Sequence, residues 1–189
     1  MSLRCMDSET SSYSLREMLA DSKRRDEGFR MLTKQYGRRL YWHIRRIVVG
    51  HDDAEDALQE TFIKILDGIK SVKDESRLTA WLYRVATNEA LRHLQRQTRL
   101  FQSIDSLNDS LVEKLEAESS VDADLAEVLF QKALLTLPAQ QRVAFNLRYY
   151  DQLDYAEIAR ITGKSENSLR TNYHYATEKI KRFIKEHTL

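Results

Sequence analysis

Between Asp52 and Leu66 the small or apolar positions Ala54, Ala57, Leu58, Thr61, Phe62, Ile65 and Leu66 recur at i, i+3, i+4, i+7, i+8, i+11 and i+12. This spacing predicts one continuous buried stripe on an α-helix. Asp52 is its expected N-cap. Glu55, three residues on, completes a capping box, and the acidic first turn suits the positive end of the helix dipole. The opposite face carries Asp53, Asp56, Gln59, Glu60 and Ile63. An apolar residue on an acidic, amide-bearing face fits either a solvated surface or a docking face for another protein.

The same period runs through most of the chain. Ser14 and Glu17 predict a capping box for a short helix ending near Arg25. A second helix is expected from about Asp26 to Val49, with Phe29, Leu32, Tyr36, Leu40, Ile44, Ile47 and Val48 inside and Gly50 as its stop. After a polar turn from Ser71 to Arg77, a long helix is predicted over Leu78 to Arg99. Trp81, Leu82, Val85 and Leu94 form its core side. Arg84, Asn88, Arg92, Arg96 and Arg99 repeat at about one helical turn as a basic stripe. Trp42 and Tyr83 fall beside the core stripes, where partial exposure is expected. Four helices of this length can close a bundle over residues 14–99. Residues 1–13 are serine-rich and aperiodic and read as a mobile arm.

Over residues 100–121 the pattern breaks down. Ile104, Leu107, Leu111 and Leu115 are too scattered to build a core alone, so this stretch reads as a flexible acidic linker. Fully extended, about 22 residues reach roughly 70–80 Å, and sites two DNA turns apart are separated by about 70 Å. Periodicity returns over residues 122–189. Leu125, Val128, Leu129, Ala133 and Leu135 predict a helix ending at Leu137, and Pro138 suits the first turn of the next, which runs to about Tyr150. Asp154 and Glu157 cap a short helix through Thr162, Gly163-Lys164 turns the chain, and Ser165 caps a last helix with Leu169, Tyr173, Ala176, Ile180 and Phe183 inside. Short helix, glycine-bearing turn and longer helix make a helix-turn-helix, which places the exposed N-terminal residues of its second helix in the major groove. Those residues are Glu166, Asn167, Ser168, Arg170, Thr171, Asn172 and His174. The predicted fold is all-α: two small helical domains joined by a flexible acidic linker.

Composition agrees with helices: the 189 residues include one proline and five glycines. The formal charge is only +1, but its distribution is uneven. Lys23, Arg24, Arg25, Arg30, Lys34, Arg38, Arg39 and Arg45 crowd the stretch from Arg16 to Arg46. Eight acidic residues face Lys114 alone between Asp105 and Glu127. Opposite local fields can serve opposite partners while the net charge cancels. The single Cys5 excludes an internal disulfide, no apolar run has membrane-spanning length, and no signal peptide is present, so a cytoplasmic protein is expected. No phosphate loop, Gly-x-Gly-x-x-Gly or His-Glu-x-x-His occurs, and no enzyme, metal or cofactor is implied. His51 beside Asp52, Asp53 and Asp56 reads as a loop histidine next to an N-cap.

Asp53-Ala-Glu-Asp-x-x-Gln-Glu-x-Phe62, followed by Trp81-Leu-Tyr-Arg-x-Ala-x-Asn88, resembles a bacterial sigma factor of the extracytoplasmic-function group. So does Leu137-Pro-x-x-x-Arg-x-x-Phe-x-Leu-Arg-Tyr149, leading into Tyr155-Ala-Glu-Ile-Ala. The resemblance implies that the N-terminal domain is sigma region 2. Its face of Asp53, Asp56, Gln59, Glu60 and Ile63 would dock on the clamp of core RNA polymerase. Lys73, Ser76, Arg77, Arg84, Asn88, Arg92 and Arg96 would recognise and melt the minus-10 element. The C-terminal domain would be region 4, binding the polymerase flap and reading the minus-35 element with Ser168, Arg170, Thr171, Asn172 and His174. The chain departs from the family where Arg is common and Asn172 and Tyr175 stand. An anti-sigma factor is a further partner that members of this family often have. Two other readings stay open at this point. A helix-turn-helix operator-binding regulator would use its N-terminal bundle for sensing or dimerisation, and a small helical hydrolase or nuclease would need acid, base or metal groups.

Overall fold

A computed structural model of the chain describes residues 13–100, 104–118 and 125–188. The residue 1–12 part of the expected arm lies outside them. Among the described residues every regular element is helical. The expected capping box opens the fold: the Ser14 hydroxyl accepts from the Glu17 N–H (3.3 Å), and the Glu17 carboxylate accepts from the Ser14 N–H (3.0 Å). It starts α1 (Leu15–Ala20), which ends earlier than expected. The chain then forms α2 (Arg25–Leu32), a π turn (Thr33–Gly37) and α3 (Arg38–Val48). One uninterrupted helix was expected there. Leu32, Tyr36, Leu40 and Ile44 are spaced by four, which overshoots the 3.6 residues of an α turn. A wider π turn keeps them on one side.

Val49 ends α3 at φ 70°, and α4 (His51–Gly68) starts at once, with Gly50 rather than Asp52 as its N-cap. Asp52 therefore lies in the first turn and caps nothing. The side chain of Asp53 folds back over Gly50, where a Cβ would lie 2.5 Å from its Oδ2. Ala54, Ala57, Thr61 and Ile65 are buried as expected. Two 3-10 turns (Ile69–Ser71 and Glu75–Arg77) lead into α5 (Leu78–Leu100). Trp42 is half exposed, but Tyr83 is fully buried, contrary to expectation. Its hydroxyl reaches Asp151 (3.4 Å) and its ring meets His43 edge-on (5.1 Å). Asp151 comes from the far half of the chain, so local spacing could not reveal that cover.

The stretch expected to be a coreless linker forms α6 (Ile104–Glu118), and its Leu107 and Leu111 are buried in the main core. They find apolar partners on α5 and beyond, so scattered leucines suffice. Lys114 Nζ, the one linker lysine, sits 2.6 Å from Asp53 Oδ2, and His93 Nε2 lies 2.9 Å from Asp53 Oδ1. Burial alone would raise the Asp53 pKa. Hydrogen bonds from Lys114, His93 and Gln97 outweigh it and hold the carboxyl below its usual range.

The C-terminal half comprises α7 (Leu125–Leu135), α8 (Ala139–Tyr149), α9 (Tyr155–Thr162) and α10 (Glu166–His187). Pro138 is the N-cap of α8, Asp154 and Glu157 form the expected capping box of α9, and Gly163 turns the chain at φ 72°. A small core of Ala133, Leu134, Leu137, Phe145, Ala176 and Ile180 holds this unit. Its other face joins the main core through Val143, Leu147, Leu153, Ile158 and Ile161.

A polar seam accompanies that contact. Arg142 Nη2 donates to the Ile47 carbonyl (3.3 Å) and Asn146 Nδ2 to the Arg46 carbonyl (3.4 Å). They satisfy last-turn carbonyls of α3 that the helix itself leaves open. His43 Nδ1 lies 3.1 Å from Asp151 Oδ2, and His43 Nε2 lies 2.9 Å from Thr87 Oγ1. A carboxylate can only accept, so Nδ1 carries the proton. Burial pushes Arg142 down to about 10 and, together with the Asp151 charge, pushes Tyr83 up to about 12.

Two predictions follow from this packing. A Cβ on Gly28 would stand 2.9 Å from the Leu19 backbone nitrogen and 3.0 Å from the Met18 carbonyl carbon. Gly28→Ala gains up to about 1 kcal/mol of helix propensity but incurs roughly 1–3 kcal/mol of overpacking against backbone, so thermal unfolding should show a net loss. The depressed Asp53 pKa contributes stability that is complete above the unfolded-state value of about 4 and is lost as pH falls through the folded value. Amide exchange in α6 should accelerate below about pH 4, and Asp53→Asn should show the fast exchange already at neutral pH.

Candidate protein- and nucleic-acid-binding surfaces

The α4 helix buries its small and apolar stripe and leaves Asp56, Gln59 and Glu60 exposed. Ile63 stands among them with 52% of its surface in solvent. With Glu89, His93 and Arg96 of α5, these four residues line a groove of about 320 Å³. Asp53 separates from them. It is partly buried and engaged by Lys114 and His93. The structure thus brings four of the five expected docking residues together and ties the fifth to α6.

The basic stripe of α5 also divides. Lys73, Arg77 and Arg84 line a pocket of about 480 Å³ with Ser71, Val72, Ala80, Trp81 and Arg160. Arg96 instead lines the α4 groove, and Arg92 pairs with the buried Glu89 at 3.0 Å. The reason is geometric. Steps of four overshoot a helical turn, so each advances the stripe by about 40°, and Arg84 to Arg96 turns through about 120°. Asn88 is exposed between the two groups.

Local interactions shape the pocket rim. Asp74 accepts from the Ser76 hydroxyl (2.8 Å) and the Ser76 N–H (2.9 Å), and these two bonds hold its carboxyl below the usual range. Ser76 is therefore committed as a donor within its own turn. Arg16 of α1 pins the segment from behind, reaching the Val72 carbonyl (3.4 Å) and Glu75 (3.9 Å). Trp81 was expected in the core. It is only partly buried, and its indole packs over Gly68, where a Cβ would lie 3.0 Å from the ring. An aromatic face among cations can stack a base while phosphates are neutralised. Of the five pocket residues the sequence reading missed, Trp81 supplies an aromatic face and Arg160 a cation. The sequence marked Trp81 as apolar on a core stripe, and nothing local links Arg160 to a site on α5.

The turn between α9 and α10 presents the third surface. The Ser165 hydroxyl accepts from the Ser168 N–H (3.3 Å), so α10 starts as expected. Ser168, Arg170, Thr171 and His174 are exposed. Arg170 lies 4.4 Å over the Tyr155 ring and 3.2 Å from Glu166, which together hold its guanidinium at the helix start. Asn172 is partly buried, and its Nδ2 donates to Ser168 Oγ (3.3 Å). Tyr175 is exposed on the following turn.

His51, which invited a metal reading, bonds the Tyr41 hydroxyl (2.7 Å) and faces Glu55 (3.4 Å). Among the described residues no three His, Cys, Asp or Glu side chains are grouped as metal ligands, and no helix is long and apolar enough to cross a membrane.

Comparison with known proteins places these surfaces in a family. Residues 32–100 match the sigma-70 region 2 model and residues 127–180 the sigma-70 region 4 model, together about two thirds of the chain. The Escherichia coli ECF RNA polymerase sigma-E factor is 29% identical over 170 residues, covering 82% of this chain and 85% of that protein. The Bacillus subtilis sigma factor YlaC is 27% identical over 153 residues, covering 80% and 88%. Among solved structures, the sigma factor RpoE of Bartonella quintana, in complex with the anti-sigma factor NepR, superposes with a TM-score of 0.66 at 22% identity, covering 84% of this chain and 98% of that one. CnrH, in complex with the cytosolic domain of CnrY, superposes with a TM-score of 0.65 at 18% identity, covering 91% and 97%. With a region 2 bundle, a region 4 helix-turn-helix unit and relatives that match across most of both, this chain belongs to the sigma-70 family, in its extracytoplasmic-function group.

Proposed function

We propose that this sigma factor docks on the clamp of core RNA polymerase through Asp56, Gln59, Glu60 and Ile63, with Asp53 joining them once Lys114 releases it. It directs promoter-specific transcription initiation. The observation that carries the docking assignment is Ile63. On a helix that buries its other apolar residues wholly or in part, it alone stays half exposed, in the middle of an acidic face. Such an apolar centre with a charged rim has the anatomy of a protein interface.

Lys73, Arg77, Arg84 and Trp81 take the minus-10 strand, with Asn88 reading a base edge and Ser76 shaping the rim. Arg92 and Arg96 lie further along α5 and serve phosphate contact, which sets register. Region 4 binds the flap and reads the minus-35 element through Ser168, Arg170, Thr171, Asn172 and His174. Arginine reads guanine and asparagine adenine in two-pronged fashion. The polymerase carries the nucleotidyl chemistry and this chain carries none, working in the cytoplasm. An anti-sigma factor is a further partner. An apolar groove of about 760 Å³ where α5, α6 and the α7–α8 turn meet, lined by Leu91, Leu94, Leu107, Leu111 and Leu137, offers it a place.

Charge reversal at Asp56 and Glu60 should lower affinity for core polymerase at least about tenfold, a loss of about 1.4 kcal/mol, with helicity unchanged; equal affinity in a titration would refute the docking face. In the assembled holoenzyme, Arg84→Ala and Asn88→Ala should reduce promoter opening far more than core binding, read by permanganate reactivity of the minus-10 region.

A further inference from the structure

Arg38, Trp42, Arg45 and Arg46 recur along α3 at steps of four, three and one, with Arg39 beside them, so they share one side of the helix. Two cavities open along that side. One of about 220 Å³ and one of about 360 Å³ have Trp42, Arg46 and Tyr150 as a common wall. Arg45 and Arg142 line the smaller, and Arg38 and Arg39 the larger. The common wall is aromatic as well as cationic. Trp42 is 45% exposed, and the Arg46 guanidinium lies 4.0 Å over the Tyr150 ring.

Arg142 is the group that the fold leaves unexplained. It is only 2% exposed, and a buried charge ordinarily has a counter-ion. Its Nη2 donates to the Ile47 carbonyl (3.3 Å), but its Nε has no partner. Burial lowers its pKa, and no carboxylate offsets that shift. The two carboxylates of the cavities are committed elsewhere. Glu127 accepts from Gln131 Nε2 (2.8 Å), and Asp151 faces His43 (3.1 Å) and Tyr83 (3.4 Å). Among the described residues, Arg38, Arg39, Arg46 and Arg142 belong to no ion pair. The apolar groove that Arg142 also borders has no aromatic side chain in its lining.

A single small anion would engage one group of these cations and leave the rings bare. A run of phosphates carrying a planar base uses both. Guanidinium forks bind phosphate oxygens in pairs, and a half-exposed indole stacks a base. We propose that the paired cavities bind a free nucleoside polyphosphate, with its phosphates among Arg38, Arg39, Arg46 and Arg142 and its base on Trp42. Helix α3 belongs to region 2, whereas Arg142 and Tyr150 belong to region 4. One ligand therefore touches both domains and strengthens their contact.

The test uses the full chain, with ATP and GTP as probes and adenosine and pyrophosphate as their fragments. At least one triphosphate should bind saturably in titration calorimetry and raise the midpoint of thermal unfolding, because a ligand of the folded form stabilises it. No saturable binding of either up to about 1 mM overturns the site. Adenosine and pyrophosphate should each bind at least about tenfold more weakly than the triphosphate. Equal affinity for either fragment leaves the cations or the ring idle and overturns the nucleotide assignment. Arg142 is buried and its loss could unfold the chain, so the substitutions fall on exposed residues. Arg38→Ala with Arg39→Ala, and separately Trp42→Ala, should each lower affinity at least about tenfold while unfolding stays cooperative. Unchanged affinity in either variant overturns the proposed pose. Saturating nucleotide should slow amide exchange in both α3 and α8; protection of only one overturns the bridge between domains. A single-stranded oligonucleotide without terminal phosphates should not displace the nucleotide. Full displacement would assign the cavities to a nucleic-acid strand and overturn the proposal.

Discussion

The arrangement depends on how the C-terminal end of α3 is satisfied. A helix leaves its last carbonyls without internal donors, and here Arg142 and Asn146 of α8 reach the carbonyls of Ile47 and Arg46. Among the described residues, four of the six buried polar side chains, His43, Thr87, Arg142 and Asn146, gather on this seam. Region 2 therefore hides polar groups whose partners lie in region 4. Were region 4 to leave, water could serve them, because the seam would then be surface. The polar seam thus fixes the geometry of a contact that also buries Val143, Leu147, Leu153, Ile158 and Ile161 in the shared core.

Charge is organised in the same divided way. A net +1 conceals an acidic face on α4, a cationic pocket between α5 and α9, and an exposed arginine at the start of α10. The residues that separate these fields are themselves paired. Asp53 is held by Lys114 and His93, and Arg92 by Glu89. Through Asp53, α6 touches the edge of the acidic α4 face, the surface proposed to dock on polymerase. On that proposal, folding of α6 on region 2 and docking on polymerase share one carboxylate.

Much of the fold was legible because its signals are local. The Ser14–Glu17 and Asp154–Glu157 capping boxes, Gly163 and the Ser165 cap each act within one turn of backbone, so residue order is enough to place them. The α4 stripe could be read in the same way, and with it the exposed Ile63 on the acidic face. Family-specific spacing over Asp53–Phe62, Trp81–Asn88 and Leu137–Tyr149 added the functional reading.

What sequence alone determined is therefore the set of helices, their caps, their buried stripes and the residue types on each outer face, all of which arise from neighbours within about four positions. Tertiary structure decided the rest. It made a helix of residues 104–118 by giving Leu107 and Leu111 a core to enter, and it buried Tyr83 beneath Asp151. It turned the α5 stripe so that Arg84 and Arg96 serve different surfaces, and it brought Arg160 to a pocket built by region 2. These outcomes depend on contacts between residues tens of positions apart. No periodicity encodes them, because a helix specifies which face is apolar but not which other helix will cover it.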